Sequence, residues 1–474
     1  MNKPSQALGF WATSALVPCG VAILLAKLVF AARLDLYSDE VYYWLESTRP
    51  ALAYSDLPFM SALLAGLGSA LLETSPLATR APFLILGSTI PLLLYWLAHP
   101  LVGRTRARES ALLCLCLPLA ASMGLLAGPD VPLLFLALLS LGLFLRVLES
   151  DSVWLWTATG IAIALGLCTH YRFALFPGAV LLLMLFDARF RRLWRNPRAW
   201  LAGVLALVGL APVTLFNLNH GMVSAEFYFL DRHAWEFSAA GLLQPAIQAL
   251  ISTPPLYALL LLTLFSLWRR ADAAPRLIAL IGTLHIGVFA LLAPWSDPTS
   301  TTIHWPLPGY VPLLVYAPSL LSELRERRPS LSYAPRLVLF TGLIGTASAL
   351  LGVGSQSLHP QLQPLLGRQT LSTKMAAWPE FAEVTQDLIE RSFRSPPLLV
   401  SDNYYTAAQI AFQNVASSGR IYTLASEKAV RDGRAYQLAL WRMDQRALTT
   451  QEGRQALLIT EDSTLNYGQE NTVL

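Results

Sequence analysis

Carboxylic acids are concentrated in one polar stretch near the start of the chain, residues 36–60, which is LYSDEVYYWLESTRPALAYSDLPFM. Asp39 and Glu40 are adjacent, and Asp56 follows shortly before Pro58. Such a carboxylate could act as a general base that takes a proton from a hydroxyl group. Each acid also has a structural interpretation, because carboxylates favour the first turn of a helix and Asp56 suits an N-cap before a proline. The sequence leaves both interpretations open.

Further polar candidates lie at turns between apolar segments. An arginine at such a turn could hold a phosphate through two parallel hydrogen bonds, or could simply extend its charge toward the membrane surface. A lone histidine is more often structural than catalytic or a ligand. These candidates are Asp130 in GPD, then His170, Tyr171 and Arg172 in THYR, His220 and Arg232 in and after LFNLNHG, and His304 in TIHW.

The composition is that of a membrane protein. Hydrophobic residues make up 54% of the 474 residues, charged residues only 14%, and the mean hydropathy is +0.49. Soluble proteins carry about 25% charged residues. The four cysteines form no C-x-x-C pair, so we expect neither a disulfide framework nor a structural zinc site. We interpret the first apolar run as a retained helix and not as a removed signal peptide.

Apolar runs of about 20 residues predict the membrane-spanning helices. The sequence predicts eleven spans at 10–32, 80–98, 109–126, 131–148, 153–169, 173–187, 199–216, 243–268, 277–294, 304–321 and 336–353. Residues 57–72 are also apolar, but a span there would reverse every later loop. We therefore predict an interfacial or re-entrant helix within one long loop, 33–79. Lys27, inside the first span, is expected to extend its charge toward the outer surface.

Arginines set the predicted orientation. They cluster in alternate loops, at 104–108, 189–198, 269–276 and 325–336. The positive-inside rule places these loops in the cytoplasm, so the N-terminus is expected inside and the C-terminus outside. Every candidate polar residue named above then lies on the outer side.

The last part of the chain differs in character. From about residue 354 it contains no long apolar run, and PPLLVSD, NYYTAAQIAFQNV, RIYTL and QALLITED indicate strand, helix, strand and strand. We predict a transmembrane domain over 1–353 and a small α/β domain, outside the membrane, over 354–474.

Several motifs resemble a known family. SDEVYYW with LAYSDLPFMSALLAGLGSALL is similar to the first loop of bacterial family-39 glycosyltransferases, which are grouped with protein O-mannosyltransferases and lipid A aminoarabinose transferases. GPDVPLLF, GLCTHYRFAL, APVTLFNLNHGMVSAEFYF and HWPLPGY continue the resemblance in order over roughly 30–320. It implies the GT-C fold, a sugar donor carried on a polyprenyl (undecaprenyl) phosphate, and an acceptor glycosylated on the periplasmic side of the bacterial inner membrane.

The resemblance also implies roles for individual residues. Asp39 matches the catalytic acid of the family and Glu40 its neighbour. Asp56 matches a second acid that binds metal in some relatives, and Asp130 matches the acid of the next outer loop. The residues assigned to substrate binding are Tyr43, Asp56, Asp130, His170, Tyr171, Arg172, His220, Arg232 and His304.

Two positions depart from the family pattern. Leu57 replaces a histidine that often follows the second acid, which weakens a metal site at Asp56. His170 replaces a phosphate-binding lysine, and we expect Arg172 to supply the missing charge. No cofactor is required by the resemblance, although a divalent metal at Asp56 is left open. Tyr43 could pack on a sugar or lipid, or belong to an aromatic belt at the membrane surface.

These residues suggest an inverting hexosyl or pentosyl transfer. Asp39 would act as base on the acceptor hydroxyl, and Arg172 would stabilise the departing phosphate, with His170, Arg232 or His304 as helpers. The acceptor could be lipid, glycan or protein, and no nucleic-acid partner is expected. The alternative is a polytopic transporter or flippase of a lipid-linked sugar, which would place charged groups near mid-membrane or along a lumen.

Overall fold

The computed structural model describes residues 9–232, 235–296, 303–358, 361–362, 374–415 and 420–461. Its long apolar runs are helical, because a helix satisfies its own backbone hydrogen bonds where lipid offers no partner. The chain divides into two compact units. The first consists of Met1–Ala32, Arg80–Pro212 and Trp235–Gly354, and the second of Arg33–Thr79, Val213–Ala234 and Ser355–Leu474.

Helices dominate the described chain up to residue 354. In chain order they are α1 (Gly9–Arg33), α2 (Ser38–Ser47), α3 (Met60–Leu71), α4 (Pro76–Leu115), α5 (Pro118–Ser122), α6 (Asp130–Ser150), α7 (Val153–Leu167), α8 (Leu175–Phe186), α9 (Ala188–Arg191), α10 (Pro197–Val208), α11 (Ala211–Asn219), α12 (Val223–Glu226), α13 (Gln244–Ile251), α14 (Pro254–Trp268), α15 (Ala273–Leu292), α16 (Leu307–Leu313), α17 (Ala317–Arg327) and α18 (Ala334–Gly354).

Short helical turns connect several of these helices. The turns with 3-10 geometry are Tyr171–Ala174, Arg192–Arg195, Ala239–Leu243, Ala293–Trp295, Pro329–Leu331 and Ser355–Leu358, and Phe227–Asp231 is a π-helix.

Five helical segments of the described chain are long and apolar enough to cross a membrane, and three bent helix pairs raise the number to as many as eight. The chain is therefore a multi-pass membrane protein, while the sequence-based number of eleven spans stays a prediction. Within α4, Gly103 leaves helical geometry with φ 79°. This break falls between the predicted spans 80–98 and 109–126, next to the arginines expected in the cytoplasm.

The core of the first unit is apolar and fully packed, with Leu113, Leu138, Leu260 and Val311 almost inaccessible. Lys27 lies in the same unit and is 1% exposed. The expectation that it extends to the surface is wrong, because its Nζ donates a hydrogen bond to the Met123 carbonyl oxygen at 2.6 Å. A buried ammonium group requires such a partner.

The second unit contains a small parallel sheet. Its strands are β1 (Leu398–Ser401), β2 (Ile421–Thr423) and β3 (Ala456–Ile459), in the order β2-β1-β3. Its remaining helices are α19 (Trp378–Ser392), α20 (Tyr404–Phe412), α21 (Glu427–Arg431), α22 (Ala435–Leu440) and α23 (Gln445–Thr449). The structure contains the strands and the helix that the sequence predicted from PPLLVSD, NYYTAAQIAFQNV, RIYTL and QALLITED. The domain boundary at 353/354 stays a prediction.

The acidic loop near the start of the chain packs against this C-terminal segment within the second unit. Val41 and Leu45 of α2 share a buried apolar cluster with Tyr404 and Ala408 of α20. Each such fully buried aliphatic side chain contributes about 1.5–3 kcal/mol. In addition, the Gln409 side chain donates a hydrogen bond to the Leu36 carbonyl oxygen at 2.7 Å. These contacts fix α2, and therefore its acids, on the C-terminal segment.

The apolar stretch 57–72 forms α3, a helix of 12 residues. At 1.5 Å per residue its length is about 18 Å, which is shorter than the roughly 30 Å hydrocarbon core of a bilayer. It is therefore a helix of the first loop and not a span, as the sequence indicated.

Candidate functional site

Helix α2 separates its two adjacent acids. Glu40 is buried, and its Oε2 accepts a hydrogen bond from the Tyr37 backbone N–H at 2.8 Å. This contact satisfies a free amide at the helix start. Successive helical residues point about 100° apart, so Asp39 faces elsewhere. Its side chain is 47% exposed, which makes Asp39 the accessible carboxylate of the pair.

A buried arginine from the C-terminal segment lies among the acids of the first loop. Arg434, whose side chain is 4% exposed, places Nη1 2.6 Å from Asp56 Oδ2 and 3.6 Å from Glu46 Oε1. Its Nη2 lies 3.5 Å from Asp39 Oδ1. One cation thus faces three carboxylates. We call Asp39, Glu46, Asp56 and Arg434 the Arg434 cluster.

Tyrosine rings enclose this guanidinium. Its Cζ lies 4.1 Å from the ring centre of Tyr42, 5.2 Å from that of Tyr43 and 5.7 Å from that of Tyr404. Ring faces attract a cation and exclude water from it, which strengthens its ion pairs. Tyr43 therefore lies in the cluster, against Arg434.

Backbone contacts fix the position of Arg434. The Ser55 hydroxyl donates to the Gly433 carbonyl oxygen at 2.5 Å, and the Ser55 N–H donates to Gln437 Oε1 at 3.0 Å. Gly433 has φ 73°, and a Cβ there would lie 2.8 Å from the Phe227 ring. Only glycine suits such a position. The residues beside Asp56 and Arg434 are therefore bound to each other.

Burial and crowding change the acidity of the cluster. Burial, together with the neighbouring Asp56, raises the pKa of Glu46 well above its usual range, although Arg434 opposes this rise. Glu46 therefore holds its proton to higher pH than an ordinary glutamic acid does. Lost hydration also raises the pKa of Asp39, with Arg434 opposing and Asp432 and Asp56 adding to the rise. A raised pKa makes a carboxylate a stronger base.

Asp56 does not cap the following helix. Helix α3 begins at Met60, its N-cap Phe59 makes no side-chain cap hydrogen bond, and the Asp56 carboxylate pairs with Arg434. A divalent metal does not fit here, because the guanidinium lies where a metal would have to bind. Among the residues that the structure describes, no group of three or more His, Cys, Asp or Glu side chains could hold a metal ion.

A second set of predicted residues meets in the first unit. Asp130 begins α6; its Oδ1 accepts a hydrogen bond from Arg172 Nη2 at 2.8 Å, and its Oδ2 lies 3.1 Å from His304 Nε2. The Arg172 N–H donates to His170 Nδ1 at 3.2 Å. We call Asp130, His170, Arg172 and His304 the Arg172 cluster. Arg172 is therefore held by the side chains of Asp130 and His170, and its guanidinium does not extend freely toward the membrane surface.

The Arg172 guanidinium has one N–H group that is buried and meets no acceptor among the described residues. Its Cζ lies 4.9 Å from the Trp305 ring centre, its side chain is 12% exposed, and Nη2 is bound to Asp130. The buried Nη1 finds no hydrogen-bond acceptor among the described residues. A buried N–H without a partner is costly, so such a group indicates a place where a ligand oxygen can bind.

The remaining predicted residues lie against aromatic rings. Tyr171 meets the His170 ring edge-on, with centres 6.2 Å apart. His220 Nδ1 is 3.3 Å from the Tyr436 hydroxyl oxygen, and the Arg232 guanidinium lies over Phe227. His220 and Arg232 belong to the second unit, but outside the set defined here as the Arg434 cluster.

Sequence reasoning missed Arg434 and gave Glu46 no role. The two partners Asp39 and Arg434 are 395 residues apart, and a single arginine in a polar segment resembles any surface charge. Gly433, a glycine directly before it, was the one available sign of a constrained backbone.

Comparison with known proteins supports the architecture. Residues 56–216 match the family described as dolichyl-phosphate-mannose-protein mannosyltransferase. The fold is similar to that of ArnT from Cupriavidus metallidurans in the apo state, with 13% identity, a TM-score of 0.68, and coverage of 96% of this chain and 94% of ArnT. No curated protein sequence matches the chain.

Two ligand-bound structures also resemble it. ArnT bound to undecaprenyl phosphate has 13% identity and a TM-score of 0.65, with 95% of this chain and 94% of ArnT covered. The oligosaccharyltransferase AglB from Archaeoglobus fulgidus, in complex with an inhibitory peptide and a dolichol-phosphate, has 12% identity and a TM-score of 0.51, with 86% of this chain and 64% of AglB covered. The resemblance inferred from the first loop is thereby confirmed: the chain is a multi-pass membrane protein of the GT-C fold, and its residues 56–216 carry the dolichyl-phosphate-mannose-protein mannosyltransferase family pattern.

Proposed function

We propose that this protein is a glycosyltransferase that moves a sugar from a polyprenyl phosphate to an acceptor hydroxyl. The observation that carries the proposal is the Arg172 guanidinium, which is held by Asp130 and whose buried Nη1 meets no hydrogen-bond acceptor in the part of the chain that the structure describes. The structures of ArnT with undecaprenyl phosphate and of AglB with a dolichol-phosphate support a phosphate carried on a polyprenyl chain.

The Arg172 cluster is assigned to the donor phosphate. Arg172 Nη1 donates to a phosphate oxygen while Nη2 stays bound to Asp130, which fixes the plane of the guanidinium. His304, on the other oxygen of Asp130, and His170, on the Arg172 backbone, restrict the same side chain. As the sugar leaves, negative charge on the phosphate grows, and a positioned cation stabilises it most at that moment.

The Arg434 cluster is assigned to the acceptor. Asp39 is its exposed carboxylate and the proposed base, while Asp56 and Arg434 are positioning residues. The acceptor oxygen forms a bond to the anomeric carbon, the bond from that carbon to the phosphate oxygen breaks, and the acceptor proton passes to Asp39. The products are the glycosylated acceptor and the polyprenyl phosphate. One displacement inverts the anomeric centre, and no covalent enzyme intermediate is needed.

The arginine distribution supports the proposed orientation, and the resemblance to family-39 glycosyltransferases supports the proposed membrane. We propose a bacterial inner-membrane protein with its N-terminus in the cytoplasm, its C-terminus in the periplasm, and transfer on the periplasmic side. The division into a transmembrane domain over 1–353 and a periplasmic domain over 354–474 belongs to this proposal.

Mass spectrometry of envelope glycans tests the function directly. Cells with and without the protein should differ by one defined sugar on one class of lipid, glycan or protein. Purified protein supplied with that sugar on undecaprenyl phosphate should then transfer it and release undecaprenyl phosphate. If the protein moves the intact lipid-linked sugar across vesicle membranes without breaking the sugar–phosphate bond, it is a flippase and the proposal is wrong.

A further inference from the structure

A basic pocket lies in the second unit, apart from both clusters. Its volume is about 480 Å³, and it lies between the end of α2 and the segment from β2 to α23. That volume falls within the range of small-molecule sites. Its lining includes Leu45, Arg49, Arg420, Trp441, Arg442 and Gln451.

The charge of this pocket has one sign. Three arginines line it, and no Asp or Glu of the described residues does so. Two exposed arginines elsewhere do have carboxylate partners, Arg391 with Asp387 and Arg198 with Asp151. Within the described residues, the three arginines of the pocket have no carboxylate partner, and cations that converge on one concave surface attract an anion and raise its local concentration.

The three guanidinium groups are carried by constrained parts of the chain. Arg49 Nη1 lies 3.0 Å from the Met443 sulfur, and its Cζ is 4.9 Å from the Trp441 ring centre. The Arg420 carbonyl oxygen accepts a hydrogen bond from Leu399 N–H on β1. Arg442 has φ 56°, a left-handed conformation that is rare for arginine and costs energy.

The pocket also has apolar walls and reaches the Arg434 cluster through one layer of rings. Leu45 and Trp441 contribute apolar surface, and Gln451 contributes amide hydrogen-bonding groups. The ring centres of Trp441 and Tyr42 are 6.0 Å apart, and Tyr42 covers Arg434. A ligand in the pocket is therefore close to the helix that carries Asp39.

We propose that this pocket binds a saccharide bearing a phosphate or carboxylate group, with Arg49, Arg420 and Arg442 on the anion and the apolar wall against the sugar ring. Its role as the binding site for part of the acceptor rests on the proposed function, because α2 carries both the pocket residue Leu45 and the base Asp39. The binding itself does not depend on that function.

Direct binding to the full-length protein, in nanodiscs of zwitterionic lipid, tests the inference. Glucose 6-phosphate and glucuronic acid should bind, and their affinity should fall as salt increases. Glucose should not bind measurably, and inorganic phosphate should bind at least tenfold more weakly than glucose 6-phosphate. Equal binding of phosphate and glucose 6-phosphate would reduce the pocket to a plain anion site and overturn the proposal.

Matched variants separate the pocket from general surface charge. Arg420→Gln with Arg442→Gln should weaken glucose 6-phosphate binding about tenfold for each guanidinium removed. Arg394→Gln, an exposed arginine of the same unit outside the pocket, should leave the affinity unchanged. Unchanged binding by the double variant, with the thermal transition retained, contradicts the proposal.

Lipid is the competing source of an anionic group. Vesicles containing phosphatidylglycerol should not displace glucose 6-phosphate from the protein. Displacement that depends on Arg420 and Arg442 would identify a lipid-headgroup site and overturn the saccharide assignment. If the protein binds the saccharide but transfers no sugar, the pocket assignment stands and the proposed enzyme activity is wrong. If it transfers sugar but does not bind the saccharide, the enzyme activity stands and the pocket assignment is wrong.

Discussion

Arg434 Nη1 lies 2.6 Å from Asp56 Oδ2, and both side chains are 4% exposed. An ion pair so poorly hydrated depends on both partners, because either charge alone would remain buried without compensation. The acids of the first loop therefore have a structural requirement that only the C-terminal segment meets.

Replacing Arg434 should reveal this dependence as lost stability. Arg434→Gln leaves Asp56 buried and unpaired, and we expect a loss of about 3–5 kcal/mol in the free energy of unfolding. Thermal unfolding in detergent, followed by fluorescence, measures the change against Arg394→Gln, an exposed matched control. A transition equal to that of the wild type would show that Asp56 is solvated and not paired.

Removing the carboxylate of Asp39 should abolish turnover and preserve the fold. We expect Asp39→Asn to lower kcat by about 10²–10⁴, the contribution of a general base. The exposed Asp387→Asn is the control, since its carboxylate pairs on the surface with Arg391. Radiolabelled sugar transfer gives the rate, and the thermal transition verifies folding. Undiminished turnover by a folded Asp39→Asn protein excludes Asp39 as the base.

The pH profile should report the charges around Asp39. The pKa of the Asp39 carboxyl group is raised mainly by lost hydration and also by Asp432, whereas Arg434 and Lys428 lower it. A base must be deprotonated, so activity falls as pH drops through this pKa. Lys428→Gln should therefore move the acidic limb of kcat/KM to higher pH, and Asp432→Asn should move it to lower pH.

These two substitutions serve as mutual controls. Both substitutions remove one charge from the same region, yet we expect them to move the acidic limb of kcat/KM in opposite directions. If the acidic limb moves in the same direction in both variants, or in neither, then a group other than Asp39 controls it. Measurements at low ionic strength are required, because salt screens the field at a half-exposed carboxylate.

Glu46 should make the protein less stable as pH rises. The folded protein keeps this proton above the ordinary pKa of 4.5, whereas the unfolded chain loses it. The folded state then binds more protons, so the free energy of unfolding falls with increasing pH until the raised pKa is reached. Glu46→Gln removes this term, and its stability relative to the wild type should increase between pH 4.5 and 7. A constant difference across that range would show an ordinary Glu46 pKa.

Arg172 should be needed for the donor more than for folding. Arg172→Gln removes a charge-assisted hydrogen bond worth about 1.5–3 kcal/mol. We expect kcat/KM for the undecaprenyl-phosphate sugar to fall by roughly ten- to a hundredfold, with KM for the acceptor nearly unchanged. The exposed Arg195→Gln is the matched control in the same unit. A rise in the acceptor KM alone would reassign Arg172 to the acceptor.

The sequence predicts most of the helices and strands, because the residue types within each segment determine its secondary structure. The apolar runs predict helices, the segments PPLLVSD and NYYTAAQIAFQNV predict β1 and α20, and the arginine distribution predicts that α3 belongs to the first loop. Asp130, His170, Arg172 and His304 were each selected by residue type at a turn. Their contacts in one cluster depend on helix packing, which no single segment encodes.

Other features depend on tertiary partners and could not be predicted. Asp56 has the sequence context of an N-cap, but a buried guanidinium is a stronger partner than a free amide. Lys27 was expected near the surface, whereas the Met123 carbonyl binds it inside the first unit. Arg434 has no local signature beyond the preceding Gly433, since the acids that it contacts lie in the first loop, hundreds of residues earlier.

The separation of Asp39 and Arg434 along the chain has a consequence for biosynthesis. The ribosome makes α2 long before residues 433–437, so the acids of the first loop emerge without their counter-charge. Domains of a growing chain fold in order of synthesis where they can, but Asp39 meets Arg434 only after 395 further residues have been made. A chain that terminates before Arg434 therefore carries Asp56 and Glu46 without the guanidinium that pairs with them, and under the proposed function such a chain should transfer no sugar.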